Sequence, residues 1–323
     1  MMGPQRSFAK RVAYAALGNS AANWLRLKSI ERHGVATVLS LHRVAPYDDS
    51  TYPPLDPMLF RRLLAFCKKH FSVVTLAELG EGGFDRPPLV LSFDDGYRDF
   101  YEYAAPIMAD AAIRCNHNLI PRALETGRPP LNVILADYCG RAPEEHLAAL
   151  DIANFPKFQP GQSRGAFGDA LSAFTKNRPF AQQLEIEAQA LPQLERTEEF
   201  SPTPVMTLAQ ACEVASVHEI GAHSYEHANL GEEQDGYVSG DAARCKAWFR
   251  DRMSVDTAIY AVPNGSYRPH QLALLEKAGF ETILLVGQRF TRPDSTHHHR
   301  FNFDAVGHAE MRFKALGGLC SLQ

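Results

Sequence analysis

The sequence has no Cys-x-x-Cys pair, no overall basic excess and no unbroken apolar run long enough to cross a bilayer. Each absence excludes something. The six cysteines (67, 115, 139, 212, 245 and 320) are scattered, so no zinc ribbon is present. In a chain of this length they read as reduced thiols, which implies a cytoplasmic location. Lys and Arg total 33 against 37 Asp and Glu, a net charge of −4, so no broad cationic surface exists for a nucleic-acid partner. The stretch Val12–Leu17 is interrupted by Gly18, Asn19 and Ser20, too short for a span and a poor secretion signal.

What is there suffices for an ordinary core: 45% of 323 residues are hydrophobic. The length permits two domains or one α/β barrel. Residues 1–33 hold six basic residues (Arg6, Lys10, Arg11, Arg26, Lys28, Arg32) against one acid, Glu31, with Trp24 and Leu25 among them. This predicts a basic amphipathic helix, fitted either to an anionic membrane surface or to its own domain.

From residue 35 short β-type runs alternate with helical stretches. Strands are expected at Val35–Leu41, Phe71–Leu76, Leu89–Phe93, Ile113–Ile120, His218–Ala222, Ala258–Val262 and Thr282–Val286. Asp56-Pro57 reads as a helix start, and Arg268–Ala278 as a helix ended by Gly279. Repeated β-then-α units imply parallel strands with right-handed crossovers, in a closed barrel or an open sheet. Residues 34–323 therefore read as one domain. It is interrupted at about 124–204 by a proline-rich insertion with helical pieces near Glu144–Ile152, Ala166–Phe174 and Phe180–Leu191.

Three strand ends carry the chemistry. LVLSFDDGYRDF (89–100) ends an apolar strand in Asp94-Asp95-Gly96, with Tyr97 just beyond. Adjacent carboxylates repel unless a cation or proton separates them, and strand alternation lets them take different roles. EIGAHSYEHANL (219–230) places His223 and His227 four apart, a metal-clamp spacing. Two imidazoles and one carboxylate leave coordination positions open, which suits either metal-assisted hydrolysis or non-haem iron oxidation. AIYAVPNGSYRP (258–269) breaks at Pro263-Asn264-Gly265, a turn whose N–H groups could face an oxyanion.

In order and spacing these motifs resemble the polysaccharide deacetylase family, the NodB-homology group also called carbohydrate esterase family 4. FDDG (93–96) is similar to its first motif, HSYEH (223–227) to its second and VPNG (262–265) to a variant of its third. LSLHRV (39–44), residues 206–223 and LEKAGFETILL (275–285) extend the resemblance over roughly 35–120 and 204–310. The resemblance implies a distorted (β/α)7-type barrel that removes acetyl groups from N-acetylated sugars. Asp95, His223 and His227 would hold a divalent metal, usually zinc, with Co2+, Mn2+ or Ni2+ as alternatives. Asp94 would be the general base and the Asn264 backbone N–H an oxyanion contact. The family's usual arginine is replaced by Ala261, leaving Arg268 and Arg300 as stand-ins. Its late histidine falls near the run His297, His298, His299, of which His299 is the expected general acid. His42 and Tyr97 are the expected substrate contacts. The expected function is N-deacetylation of an amino sugar in a polysaccharide or a lipid- or nucleotide-linked glycan precursor. A deformylase or cyclic-amide hydrolase on the same scaffold, and a degenerate glycan-binding member, are the alternatives. Residues 1–30 are the expected membrane contact.

Overall fold

The computed structural model describes residues 14–320 apart from 15, 48, 49 and 199. Helix α1 (Ser20–His33) is capped by Asn19, whose side chain accepts from the Ala22 N–H. Its Arg26 donates to the carbonyls of Leu316 and Cys320, docking the helix on the C-terminal segment. Trp24 and Leu25 stay 59% and 62% exposed. The part of the expected amphipathic element before Tyr14, and Ala15, lies outside the described residues. No helix among the described residues is long and apolar enough to cross a membrane.

Eight parallel strands follow: β1 (Thr37–Leu41), β2 (Ser72–Val73), β3 (Pro88–Asp94), β4 (Asn116–Leu119), β5 (Glu219–Ala222), β6 (Ile259–Ala261), β7 (Thr282–Val286) and β8 (His297–Asn302). β1 pairs with both β3 and β8, closing seven strands into a ring in the order β1-β3-β4-β5-β6-β7-β8. β2 is a two-residue spur paired with the start of β3, at Pro88 and Leu89. The ring is uneven: β1 and β3 share five register pairs, β5 and β6 only Ala222–Tyr260. It is a distorted seven-stranded barrel, the fold the motifs implied.

Two expectations about strands needed correction. Phe71–Leu76 is strand only at Ser72–Val73, because Thr75 and Glu78 form a capping box that starts a short helix at Leu76. The histidine run, expected near the late acid, is strand β8. The helix at Asp56-Pro57, α2 (Pro57–His70), forms as expected with Asp56 accepting from the Leu59 N–H.

Strand alternation divides the barrel. Outward residues such as Leu39, Leu91, Phe93, Ile220 and Ile283 join the main core under the helices. Inward residues Val38, Val90, Ile259 and Leu284 fill the barrel floor with Leu76 and Leu79. Climbing β3 from the floor, the inward positions run Val90, Ser92, Asp94. The interior thus turns from apolar to polar toward the strands' C-terminal ends, where barrel sites lie.

The insertion is helical: α3 (Leu131–Arg141), α4 (Arg164–Lys176) and α5 (Phe180–Leu194), with a short helix at Glu144–Ala149 between the first two. Leu135, Tyr138, Leu147, Phe167, Leu171 and Ala190 form its own apolar cluster. It rejoins the barrel through α6 (Leu208–Ala215), which leads into β5. Beyond β5 lies α7 (Asp235–Trp248), and before β7 lies a helix trimmed to Gln271–Lys277, with Gly279 left-handed beyond it as expected.

Candidate active site

Backbone strain marks the barrel mouth. Eight non-glycine residues among those described have positive φ, and four of them (Asp95, Ser224, His227, Asn264) sit in the three motifs. Each such residue costs on the order of 1–3 kcal/mol, which the surrounding structure must offset. Gly96 follows at φ 75 and continues the turn that lifts Asp95 away from the strand line of Asp94.

Asp95, His223 and His227 are all buried, and each offers a ligand atom within 4.8 Å of the others. Nε2 of His223 and of His227 lie 3.4 and 3.6 Å from Asp95 Oδ1. Those separations are long for hydrogen bonds. They match the edges of a tetrahedron with ligand bonds of about 2.0–2.2 Å, which place neighbouring donors about 3.3–3.6 Å apart. Asp95 Oδ1 is buried without a hydrogen-bond partner. Nδ1 of His223 lies 2.8 Å from the Ala261 carbonyl, which fixes the proton there and presents Nε2 to the cluster. Burial, opposed by the Asp95 charge, lowers His227 to about 4, so its imidazole is neutral and able to ligate at neutral pH. The residues present therefore fit a divalent metal.

The loop between the two histidines is supported from α7. Asp241 Oδ1 accepts from the Ser224 hydroxyl and the Tyr225 N–H, both at 2.9 Å. Its Oδ2 accepts from the Tyr260 hydroxyl at 2.8 Å. Ser224 Oγ in turn accepts from the N–H of Ala228, just past His227.

Asp94 is held differently. Its Oδ1 accepts from Arg300 Nη1 and Asn118 Nδ2, both at 2.7 Å. Its Oδ2 faces His42 Nε2 at 3.8 Å and His223 Nε2 at 3.9 Å. Burial pushes this carboxyl up, but Arg300, with His223 and His42, overrides it and holds it well below the usual carboxylate range. Of the two arginines named as stand-ins, it is Arg300, from β8, that meets Asp94. Arg268 is engaged elsewhere, with Glu233 and Asp235.

Asn118 was not expected. Its only sequence signal is a polar residue in a short buried strand, NHNL. Gly221 opposite it leaves the room, since a Cβ there would run into Asn118 Oδ1.

The other expected residues divide. His42, at the end of β1, has a side chain 29% exposed and faces Asp94, placing it at the site. Asn264 is exposed in the turn after β6. Tyr97 is a correction: it is 0% exposed and packs with Ile120, Ala123, Val133 and Val205, under the Arg43 guanidinium 5.6 Å from its ring. A wholly buried ring is a wall behind Asp95, not a substrate contact. His299 is the second correction. Alternation puts it on the opposite face of β8 from Arg300, against Gly287, and no contact joins it to Asp94 or the metal cluster.

A sequence profile of the polysaccharide deacetylase family matches residues 201–283, which include both candidate histidine ligands. Over that stretch the chain matches the polysaccharide deacetylase family. Its fold is similar to that of the Streptococcus pyogenes deacetylase PplD, solved in complex with acetate. The TM-score is 0.57 at 13% identity, over 87% of this chain and 98% of that one. IcaB from Ammonifex degensii gives 0.56 at 16%, over 88% and 97%. A de-N-acetylase from Aggregatibacter actinomycetemcomitans gives 0.55 at 14%, over 86% and 98%. At these identities the likeness is one of fold. No curated protein matches the chain at the sequence level. The deacetylase-like barrel thus combines a buried Asp95, His223 and His227 cluster with a separately clamped Asp94.

Proposed function

We propose that the chain is a metal-dependent hydrolase that removes an N-acetyl group from an amino sugar in a polysaccharide or glycan precursor. The observation that carries this reading is the difference between the adjacent carboxylates. Asp95 meets both histidines, whereas Asp94 turns one free oxygen toward the same space. The donor set and its tetrahedral spacing support zinc, with cobalt, manganese or nickel as substitutes. When bound, such a cation supplies an acidified water and polarises the amide carbonyl.

The chain's own groups do the rest. Asp94 Oδ2 accepts the proton of the attacking water, while Arg300 and Asn118 keep Oδ1 out of the ligand set. His42, the partly exposed imidazole beside Asp94, carries a proton to the leaving amine in place of His299. The Asn264 turn offers the oxyanion contact. A proton acceptor placed this way favours hydrolysis over iron-dependent oxidation for the same three ligands.

Acetate release from a panel of N-acetylated sugars tests the reading. Activity should stop with chelator and return with zinc or cobalt. Asp94→Asn should lower it by about 10²–10⁴-fold with metal content unchanged. Metal-independent turnover would overturn the proposal. Faster release of formate from N-formyl sugars would move the reading to a deformylase. Glycan binding without stoichiometric metal would move it to a degenerate binding protein.

The exposed Trp24 and Leu25, with Lys28 and Arg32 on the same helix, support peripheral contact with an anionic membrane. Six unpaired cysteines, four of them buried, support the cytoplasmic side. Sedimentation with anionic liposomes should retain the full chain and lose a form lacking residues 1–30. Equal soluble fractions would remove the membrane contact.

A further inference from the structure

The residues that follow β1 are held from two sides. On the barrel side, Arg43 donates through Nε to Asp99 at 2.8 Å and through Nη1 to the Tyr52 carbonyl at 3.2 Å. The Leu55 N–H donates to the Arg43 carbonyl at 3.0 Å, and the Ala45 N–H donates back to the Leu55 carbonyl at 3.1 Å. On the other side stands the insertion. The Thr51 N–H and hydroxyl both donate to the Ala136 carbonyl of α3, at 3.4 and 2.9 Å. Gly168 of α4 lies so near that a Cβ there would meet Thr51 Oγ1 at 2.6 Å.

Tyr52 joins these supports to the site. Its half-buried ring packs on the cluster of Tyr97, Ile120, Ala123, Val133 and Val205, in which Val133 belongs to α3 and Tyr97 backs Asp95. The same ring meets His42 edge to face, with 5.7 Å between centroids and 81° between planes. That is a preferred arrangement for aromatic pairs. Burial and the charges of Asp95 and Asp94 hold the Tyr52 phenol well above its usual range, so the ring stays neutral beside them. His42 itself has Nε2 3.8 Å from Asp94 Oδ2, too far for a hydrogen bond. Packing against Tyr52 is therefore what gives the imidazole its direction.

We propose that Tyr52 is a positioning residue for His42, and that the insertion acts on the site through it. The inference rests on the deacetylase reading for the role of His42, and its test separates the two. Acetate release is measured with the full-length metal-loaded protein, and the histidine rings are followed by NMR, the His42 signal being identified by its loss in His42→Gln. Misplacing a reacting group by about 1 Å costs on the order of 100-fold, so Tyr52→Leu should lower kcat by about tenfold or more with KM almost unchanged. Tyr52→Phe, which keeps the ring edge, should restore wild-type kcat. Thr51→Val and Gly168→Ala leave the Tyr52 ring in place and disturb only its tie to the insertion. Each should lower kcat several-fold and move the His42 signal, while the signal of His218, behind the barrel, stays.

Wild-type kcat in Tyr52→Leu, or an equal loss in Tyr52→Phe, overturns the proposal while leaving the deacetylase reading intact. So does a His42 signal that neither Thr51→Val nor Gly168→Ala moves. If the wild-type protein hydrolyses no N-acetylated sugar, the deacetylase reading fails and the NMR signal decides alone. A His42 ring that shifts in both insertion-side variants supports the positioning path, and a fixed one overturns it.

Discussion

The barrel mouth and the insertion are built on opposite principles. At the mouth, buried polar groups crowd together: Asp94, Asp95, Asn118, His223, His227 and Arg300 are all nearly inaccessible. Four left-handed residues hold the loops in shape. In the insertion, Leu135, Leu171 and Ala190 make an apolar interior, and the charged side chains stay near the surface except Asp137, which is buried and accepts from the Thr203 N–H. The mouth gives up stability for pre-organised chemistry, while the insertion packs around an apolar cluster of its own.

The largest expected effect probes the mouth. Arg300 and Asp94 are 1% and 3% exposed at their side chains and 2.7 Å apart. Arg300→Met would leave Asp94 buried with Asn118 as its remaining close donor. Removing one partner of a buried pair costs about 3–5 kcal/mol. Activity should fall more than 100-fold, because a carboxylate without its clamp can rotate into the ligand set. Chemical denaturation and acetate release report the two effects. A variant with native stability and activity would mean that Arg300 is not what fixes the base.

A smaller effect should stay inside the insertion. Leu171 on α4 is fully buried in the insertion's own cluster. Leu171→Ala should cost about 2–5 kcal/mol locally. Hydrogen exchange should rise across α3–α5, while the metal content of the purified protein stays at the wild-type level. Metal loss in parallel with that exchange would show that the mouth leans on the insertion, and the contrast between the two regions would collapse.

How much of this was legible follows from where polarity lies along the chain. Asp94, Asp95, His223 and His227 stand out because each group ends an apolar run, and the structure brings them together. Arg300 could be named but not chosen, since it sits in HHHRFN, which has no apolar alternation to reveal a strand. One face turns Arg300 toward Asp94, and on the other a single apolar residue, Phe301, joins the main core beside His299. The direction of Tyr97 was illegible for another reason. It is buried by Ile120, Ala123, Val133, Val205 and Arg43, all more than twenty positions away in sequence. Helix α3 gave no helical period because almost every residue from Leu131 to Cys139 is buried, on all sides of the helix. The amphipathic pieces of the insertion, by contrast, matched α4 and α5 closely.

The smallest effect is a pH slope set by buried histidines behind the mouth. His117, on the outer face of β4, is 0% exposed, packs 4.1 Å from the Phe100 ring, and has no hydrogen bond at either ring nitrogen. Burial lowers it to about 3, and lowers His218 and His298 to about 4. In the unfolded chain each titrates near 6.5. Below that pH the unfolded state takes up protons that the folded imidazoles refuse, so stability falls as pH drops from about 7 toward 4. Each refused proton contributes about 1.4 kcal/mol per pH unit. Asp94 does not add to this window, because its depressed carboxyl loses stabilising charge only below the ordinary range near 4. His117→Leu should therefore make the slope between pH 6 and 4.5 shallower by about one proton, read from denaturation midpoints with chelator present. An unchanged slope would mean that His117 finds a proton-sharing partner in the folded state, and the apolar layer behind β4 would be wetter than its packing shows.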